Sequence, residues 1–405
     1  MNKKILLIGM YSLLNKGDMA IFNILVKILK EINPKSEFTA VFPFPWLEKK
    51  HCKDIKTIQA ITTYPAKHAS LLLRALLHYI LLMCLGKSIE LLTRDKFLAR
   101  YRDASIIVDL SGDALGKRYG IFSTLYHLYL LLLGIFLNKK IAIISQSIGP
   151  FGLSRFLYKF VLDKVSVITT RDDISLKYLC RIGVKNPCLY QTADLSFLLQ
   201  PTNSKPKELD FYKKGPIIGV TIHRSGIFED EKFIRMISNI LDQVIEELDA
   251  KIAFLPHSFG PRKRLDDRII HKEIFLKLKH KKRCLLVERE YSPEEIKSMI
   301  KECDLYISTR LHPIISAVSS CVPTIGIEHY HKIRGVLGCM LNSDMFVIDT
   351  KNLKPEEFST HLKRRIKCAW LNRNRIRKKL RGKMKFIRRM SSLNIKLLIK
   401  LIEQN

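Results

Sequence analysis

Ser308-Thr-Arg-Leu-His-Pro-Ile-Ile-Ser-Ala-Val-Ser-Ser-Cys-Val-Pro-Thr-Ile-Gly-Ile-Glu328 is the stretch from which the fold can be read. A short apolar strand, Asp304 to Ser308, runs into a charged turn carrying Arg310 and His312. A helix of small residues follows, and a second buried strand starts at Thr324. Strand, turn, helix and strand in that order build a parallel sheet, and the turn at the carboxyl end of such a strand opens into the ligand crevice. The helix begins with free N–H groups and a partial positive charge. Pro313 suits its first turn, where a missing donor costs nothing. Arg310 and His312 beside that end predict a pocket for a small dianion.

The same theme runs outward from this stretch. Ile5 to Gly9, Phe38 to Phe42, Ser105 to Asp109, Ile141 to Ser145 and Val165 to Thr169 read as strands whose all-apolar character fits a sheet covered on both faces. After the turn Met10 to Asp18, apolar residues at 21, 22, 25, 28, 29 and 32 form a helical stripe. The turn-rich run Gln200-Pro-Thr-Asn-Ser-Lys-Pro-Lys207 reads as a linker. Beyond it come Ile217 to Ile222, Ile252 to Leu255, Cys284 to Val287, Leu305 to Ser308, Thr324 to Ile327 and Met345 to Ile348. Helices between them are signalled by Phe233 to Leu248 and by the capped start Ser292-Pro-Glu-Glu-Ile296. The expected fold is α/β: two doubly wound, Rossmann-like domains, 1–200 and 208–352, facing a cleft, with a basic helical tail, 353–405.

At 405 residues, 47% apolar and 27% charged, the chain has a globular composition. Its net charge of +32 favours anionic partners such as nucleic acid, acidic lipid headgroups or phosphorylated substrates. Nucleic acid lacks support, because no helix-turn-helix, zinc-finger or RNP pattern accompanies the charge. Nine cysteines without a Cys-x-x-Cys pair fit a reducing, cytoplasmic setting. The start Met1-Asn-Lys-Lys-Ile5 reads as a first strand rather than a signal peptide.

Two apolar stretches bear on membranes. Gly120 to Leu137 leads through Asn-Lys-Lys into a strand and reads as a buried helix. Ala69 to Leu85, with Lys67, Arg74 and Lys87 around it, reads as a buried helix or one lying on a membrane surface. From Lys363 to Lys400 there are sixteen Lys or Arg and no acid, interleaved with Ile366, Trp370, Leu371, Ile376, Leu380, Met384, Phe386 and Ile387. This is either a contact for an anionic membrane surface or a solvated helix packed on both domains.

The chemistry is expected at strand ends. In Asn15-Lys-Gly-Asp-Met-Ala-Ile21, Gly17 lets the backbone approach a ligand, while Asp18 caps the helix or handles a proton. The glycine spacing of a dinucleotide fingerprint or P-loop is absent. Ser111 and Asp113, in Asp109 to Gly116, could line a sugar or phosphate site. Gln146 and Ser147, in Ser145-Gln-Ser-Ile-Gly-Pro-Phe151, suit hydroxyls. Arg171, in Thr169-Thr-Arg-Asp-Asp173, is placed to clamp a carboxylate or phosphate with its fork. The second half adds Thr221-Ile-His-Arg224, Pro256-His-Ser258, Arg310-Leu-His312 and Glu328-His-Tyr-His-Lys332. His223, His257, His312, His329 and His331 all fall at strand ends, but not in a metal-triad pattern, so no essential metal is expected.

Taken in order, these turns resemble the polysaccharide pyruvyl transferase family. The carrying residues are Asn15-Lys-Gly-Asp18 with Ala20-Ile21, Ser145 to Phe151, Arg171-Asp172 with Ser175 and Leu179, and Ala193-Asp194. Pro256-His257, Arg310-Leu-His312, Val322-Pro-Thr-Ile-Gly-Ile327 and Tyr330 to Lys332 complete the set. The resemblance implies a GT-B-like fold and transfer of the carboxyvinyl unit of phosphoenolpyruvate to sugar hydroxyls, giving a pyruvate ketal. It implies that Arg171, Arg310 and His312 hold phosphoenolpyruvate, with an early acid, best matched by Asp18, assisting. The full expected set is Asp18 and His312 as catalytic groups, with Arg171, Arg310, Leu311, His312, Lys332, Gln146, Ser147, Asp113 and His257 binding substrate. No cofactor beyond the donor phosphoenolpyruvate is expected. The acceptor would be a glycan or lipid-linked sugar, met in the cytoplasm or at the inner membrane face. The chain departs from the family at Ser111-Gly-Asp113, where a longer glycine run is usual, and at Leu14-Asn15-Lys16, where a Gly-Asn pair is usual. Two other readings stand beside this one. One is a GT-B glycosyltransferase using a nucleotide sugar, with Glu328 as its ribose contact. The other is a non-enzymatic basic protein bound to RNA or membrane.

Overall fold

Short runs of Ile, Val and Leu without polar alternation become the central strands of two parallel sheets, as sheets buried on both faces require. The computed structural model describes the chain except residues 1–2, 61–64, 87–89, 186–187, 203–205, 207, 209, 212–214, 225, 227, 329–330, 342–345 and 405. His329, Tyr330, Met345, Lys87 and half of the 200–207 linker therefore lie outside the described residues.

The chain divides into two units, the first made of residues 1–13, 21–195 and 390–405, the second of 14–20 and 196–389. The first unit holds strands β1 (Lys4–Ile8), β2 (Glu37–Phe42), β3 (Lys56–Gln59), β4 (Ile106–Asp109), β5 (Ile141–Gln146), β6 (Val167–Thr170) and β7 (Leu189–Gln191). Its sheet runs in the order β3-β2-β1-β4-β5-β6-β7, every pairing parallel. The second unit holds β8 (Ile217–Thr221), β9 (Lys251–Phe254), β10 (Cys284–Leu286), β11 (Leu305–Ser308), β12 (Thr324–Glu328) and β13 (Val347–Asp349). Its order is β10-β9-β8-β11-β12-β13, again all parallel. In each sheet the chain reverses its direction of travel beside the first strand, between β1 and β4 and between β8 and β11. Ligands of open α/β sheets bind at such switch points.

Three features depart from the sequence reading. Strands β3 and β7 are absent from it because they are short edges, with polar residues such as Lys56, Thr57 and Gln59 in place of an apolar run. Residues 14–20 group with the second unit rather than with the flanking first one. The basic tail is no separate domain: residues 353–389 group with the second unit and 390–405 with the first. Its helices are Pro355–Leu371 and Arg373–Glu403. Ile366, Trp370, Ile376, Leu380, Met384 and Ile387 are buried, leaving Leu371 and Phe386 exposed among the apolar positions named above. The tail's apolar stripe thus serves the protein core, and its cations face solvent. In the first unit, buried Asn394 accepts from Thr169 Oγ1 (2.6 Å) and Thr192 Oγ1 (2.9 Å) and donates to the Ala193 carbonyl (2.8 Å). Those bonds satisfy its amide away from water.

The helix Gly120–Phe136 is a core helix, as expected: Leu128, Leu130, Leu131 and Leu133 are buried in it. The helix Pro65–Leu85 differs, burying Leu71 and Ala75 but leaving Leu73, Leu77, Ile80, Met83 and Leu85 exposed.

Gly219, in the middle of β8, marks close packing in the second sheet. A Cβ there would lie 2.5 Å from the Tyr306 ring and 2.8 Å from Cys303 Sγ. Tyr306 cannot retreat, because its buried hydroxyl is 2.6 Å from Thr221 Oγ1. Gly219→Ala is expected to cost about 1–3 kcal/mol, read as a lower urea midpoint at unchanged m-value. An unchanged midpoint would contradict this packing.

Candidate functional site

At the carboxyl end of β11 the chain tightens around Ser308, whose Oγ accepts from the Arg310 amide (2.9 Å) and donates to its carbonyl (3.0 Å). Arg310 becomes the N-cap of the helix Leu311–Ser319, and the Leu311 side chain is buried as the anchor of that helix. Leu311 therefore packs into the core, in place of the ligand contact expected of it. The Arg310 fork is held from the other side by Asp267. Nε donates to Asp267 Oδ1 (2.8 Å), Nη2 lies 2.7 Å from the same oxygen, and Nη2 also donates to the Leu265 carbonyl (3.2 Å). Asp267 Oδ2 in turn accepts the amides of His257 and Ser258 (3.0 Å each). Burial pushes the Asp267 carboxyl up, while Arg310 and the two backbone donors pull it down. One carboxylate thus fixes both the arginine and the turn after β9.

That turn receives the segment 14–20. The Lys16 amide donates to the His257 carbonyl (2.9 Å), the Phe259 amide donates to the Leu14 carbonyl (3.0 Å), and Asn15 bridges Ser258 in antiparallel fashion. Lys16 is buried, with Nζ 2.7 Å from Glu290 Oε1 and 5.3 Å from the centre of the Phe259 ring. Gly17 lies directly against His312, since a Cβ at 17 would fall 1.9 Å from His312 Nδ1. This close approach is why the position takes glycine. Asp18 follows in the first turn of the helix Lys16–Ile32. The Asn15 to Asp18, Pro256-His257 and Arg310-Leu-His312 stretches, more than 290 residues apart at their extremes, therefore meet in one corner of the second unit.

The histidines of this corner differ in character. The rings of His257 and His312 lie parallel, 6.5 Å between centres and 11° between planes. Burial first, and then the positive surroundings of His312, Arg310 and Lys16, push His257 well below the ordinary imidazole range, so its ring is neutral at neutral pH. Behind them, buried His271 accepts the Ile222 amide on Nε2 (3.0 Å), and burial lowers it to about 3. His223 is engaged with Thr309 Oγ1 through its amide (2.8 Å) and Nδ1 (2.7 Å).

In the first unit the expected ligand contacts face inward. Buried Gln146 donates to the Asp109 carbonyl (3.0 Å) and Oδ1 (2.9 Å) and accepts from Ser111 Oγ (3.0 Å), so both ends of its amide are occupied. Ser147 donates to Asp172 Oδ2 (2.7 Å) and accepts from Arg171 Nε (2.8 Å). Arg171 Nη1 pairs with Asp194 Oδ2 at 2.8 Å, with side-chain exposures of 2% and 0%. Arg171 thereby ties three turns together, where the sequence reading made it a clamp for substrate. Asp113 stays nearer the surface, paired with Arg118 (2.6 Å) and accepting from the Tyr119 hydroxyl (3.0 Å). In the second unit, Lys332 opens the half-buried first turn of the helix Lys332–Leu341. Glu328 accepts the Arg334 amide (2.9 Å) at that same helix start, and burial raises its carboxyl to about 7. Glu328 is thus committed to the helix end, which weakens its expected use as a ribose contact.

Asp267, Glu290 and Phe259 were invisible to the sequence reading. None sits at the start of a strand–turn–helix unit, and only the Asp266-Asp267 pair opening a helix hinted at a role.

These features define a class: two parallel α/β units carrying a basic corner at the switch point of the second sheet. Solved structures with this fold include a UDP-GlcNAc 2-epimerase of Neisseria meningitidis, with TM-score 0.62, 9% identity, and 98% of this chain and 100% of that one covered. A glycosyltransferase of Rickettsia africae matches at TM-score 0.59 and 12% identity over 100% of both chains. HepE of Anabaena, solved with UDP-glucose, matches at TM-score 0.56 and 12% identity over 100% of this chain and 99% of that one. At such identities the likeness concerns the fold alone. The polysaccharide pyruvyl transferase family model matches residues 15–331, most of the chain, and the chain belongs to that family. The amylovoran biosynthesis protein AmsJ of Erwinia amylovora is 22% identical over 256 residues, 60% of this chain and 61% of AmsJ.

Two outcomes are expected from this geometry. Arg171→Ala leaves Asp194 buried without its partner and is expected to cost roughly 3–5 kcal/mol of stability, seen as a lower urea midpoint; a wild-type midpoint would contradict the internal pairing. His271 is held neutral below its ordinary 6.5, so the unfolded chain binds the proton first. The stability it supports is full above pH 6.5 and is lost as pH falls toward about 3. His271→Gln should flatten the urea midpoint against pH in that window, and an unaltered slope would contradict this.

Proposed function

We propose that the protein transfers the carboxyvinyl unit of phosphoenolpyruvate to two hydroxyls of a glycan or its lipid-linked precursor, forming a pyruvate ketal and releasing phosphate. Membership of the family supports the reaction class, and the corner where Lys16, Arg310 and His312 meet beside a neutral His257 is the observation that carries it. Phosphoenolpyruvate bears about three negative charges, and fixed cations with a helix N-terminus suit such a group.

In this reading Arg310, its fork aimed by Asp267, holds the anion, and Lys332 and the start of the helix Leu311–Ser319 add positive potential. His312 or Asp18 manages the proton. A proton reaches C3 of the enol as one hydroxyl oxygen bonds to C2; the C2–O bond to phosphate then breaks, and the second hydroxyl closes the ketal. The protons of the two hydroxyls balance the new methyl group and the released phosphate. Gly17, packed directly against His312, fixes the position of that ring, with neutral His257 parallel to it. Arg171, Ser147 and Gln146 act as supports of the turns that carry them, and Asp113 is a candidate acceptor contact.

A second reading, glycosyl transfer from a nucleotide sugar, draws on the fold neighbours, one of which was solved with UDP-glucose. The product separates the two: phosphate release from phosphoenolpyruvate supports ketal formation, and nucleotide release from a sugar donor supports the alternative. His312→Asn is expected to lower phosphate release by on the order of 10²–10⁴-fold. Gly17→Ala should lower it comparably by displacing His312. Wild-type turnover by either variant, with the fold verified by circular dichroism, would remove this corner from the reaction.

A further inference from the structure

The helix Arg155–Leu162 is apolar on two sides. Tyr158, Val161 and Leu162 enter the core of the first unit, while Leu153, Phe156 and Phe160 stand in solvent at 101%, 71% and 53% exposure. The start of the neighbouring helix Gly120–Phe136 adds Phe122 at 84%. The helix Pro65–Leu85, which packs on that one, is long and apolar enough to cross a bilayer yet mostly unburied. It buries Leu71 and Ala75 and turns Leu73, Leu77 and Ile80 outward at helical spacing. All three helices contribute to one core cluster, and Gly120–Phe136 packs against both of the others. The first unit thus carries an apolar face whose side chains protrude.

Cations outnumber acids in the segments that carry this face. Residues 65–85 carry Lys67 and Arg74 and no acid; residues 117–138 carry Lys117 and Arg118 and no acid, although Arg118 pairs with Asp113. Residues 152–166 carry Arg155, Lys159 and Lys164, and their single acid, Asp163, pairs with Lys159. The Arg155 guanidinium lies 4.7 Å from the Phe156 ring centre, and Lys164 Nζ lies 5.0 Å from that of Phe160. Protruding apolar and aromatic side chains flanked by cations match the boundary between headgroups and acyl chains of an anionic bilayer. A second copy of the chain is disfavoured, because pairing two such faces would bring like charges together in a protein of net charge +32.

We propose that this face docks the protein on an anionic lipid bilayer, with Leu153, Phe156, Phe160 and Phe122 inserted at the headgroup level and the surrounding cations on the lipid charge. The inference does not rest on the ketal chemistry; it extends the membrane-surface reading of Ala69 to Leu85 to the helix Arg155–Leu162 and the start of Gly120–Phe136, and it leaves the basic tail out.

Flotation of the full-length protein with phosphatidylcholine vesicles, with and without phosphatidylglycerol, tests it. Wild type should float with the anionic vesicles, roughly tenfold or more above neutral ones. Phe156→Ser combined with Phe160→Ser should weaken that binding by about tenfold or more at an unchanged circular dichroism spectrum. Phe386→Ser, an exposed aromatic on the tail, should leave it intact. Equal binding by the double variant, equal loss in Phe386→Ser, or no flotation of wild type would each overturn the proposal. So would a wild-type dimer, absent from the double variant, in a protein that ignores vesicles, which would assign the face to a second copy.

Discussion

Asp267 holds the candidate site together. Its carboxylate is buried, and it neutralises the Arg310 fork while fixing the amides of His257 and Ser258. The backbone it fixes is the one along which Leu14 to Lys16 is laid. A buried ion pair contributes little net stability, because desolvation offsets its attraction, but removing one partner is costly. Its value here is orientation: the guanidinium is aimed by a group that cannot move, so little entropy is lost when an anion arrives. Lys16 is treated alike, clamped by Glu290 and laid over Phe259.

The two units use their polar residues differently. In the first, Arg171, Asp172, Asp194 and Ser147 satisfy one another in the interior and set the shape of three turns, while Gln146 is held by Asp109 and Ser111. In the second, the basic groups converge at the switch point with His257 kept neutral by burial. Asp267 and Glu290 offset the charges of Arg310 and Lys16, so what the corner offers a small polyanion is N–H donors already fixed in direction. Keeping one imidazole uncharged limits repulsion within that corner. The geometry at Gly17 shows how closely the parts fit, since a single methyl group there would collide with His312.

Much of this was legible in the sequence, for reasons that can be named. Central strands such as Ile141–Gln146 and Ile217–Thr221 announce themselves because burial on both faces demands continuous apolar runs. The Arg310-Leu-His312 turn was visible because it lies between two such strands. Two edge strands were not, since Lys56–Gln59 and Leu189–Gln191 have a neighbour on one side only and carry polar residues, whereas the edges Cys284–Leu286 and Val347–Asp349 keep an apolar run that could be read. Burial in three dimensions decides what pattern cannot: Arg171 and Gln146 have the right chemistry for a ligand but spend it on Asp194 and Asp109. The alternation of cations and apolar residues in 363–400 fits a membrane helix and a core helix equally, and packing selected the core. Asp267 carries only the signal of an acid opening a helix, because its importance comes from a partner 43 positions away.

Membership of the polysaccharide pyruvyl transferase family supports the proposed reaction, and the corner around Arg310 and His312 is where that proposal puts the phosphorylated enol. The most direct check is calorimetric titration of phosphoenolpyruvate into the wild-type protein and Arg310→Ala. The account predicts saturable binding by wild type and a loss of about 10–100-fold in the variant, the worth of one charge-assisted contact. Equal affinity in the two proteins, or no binding to wild type, would contradict it.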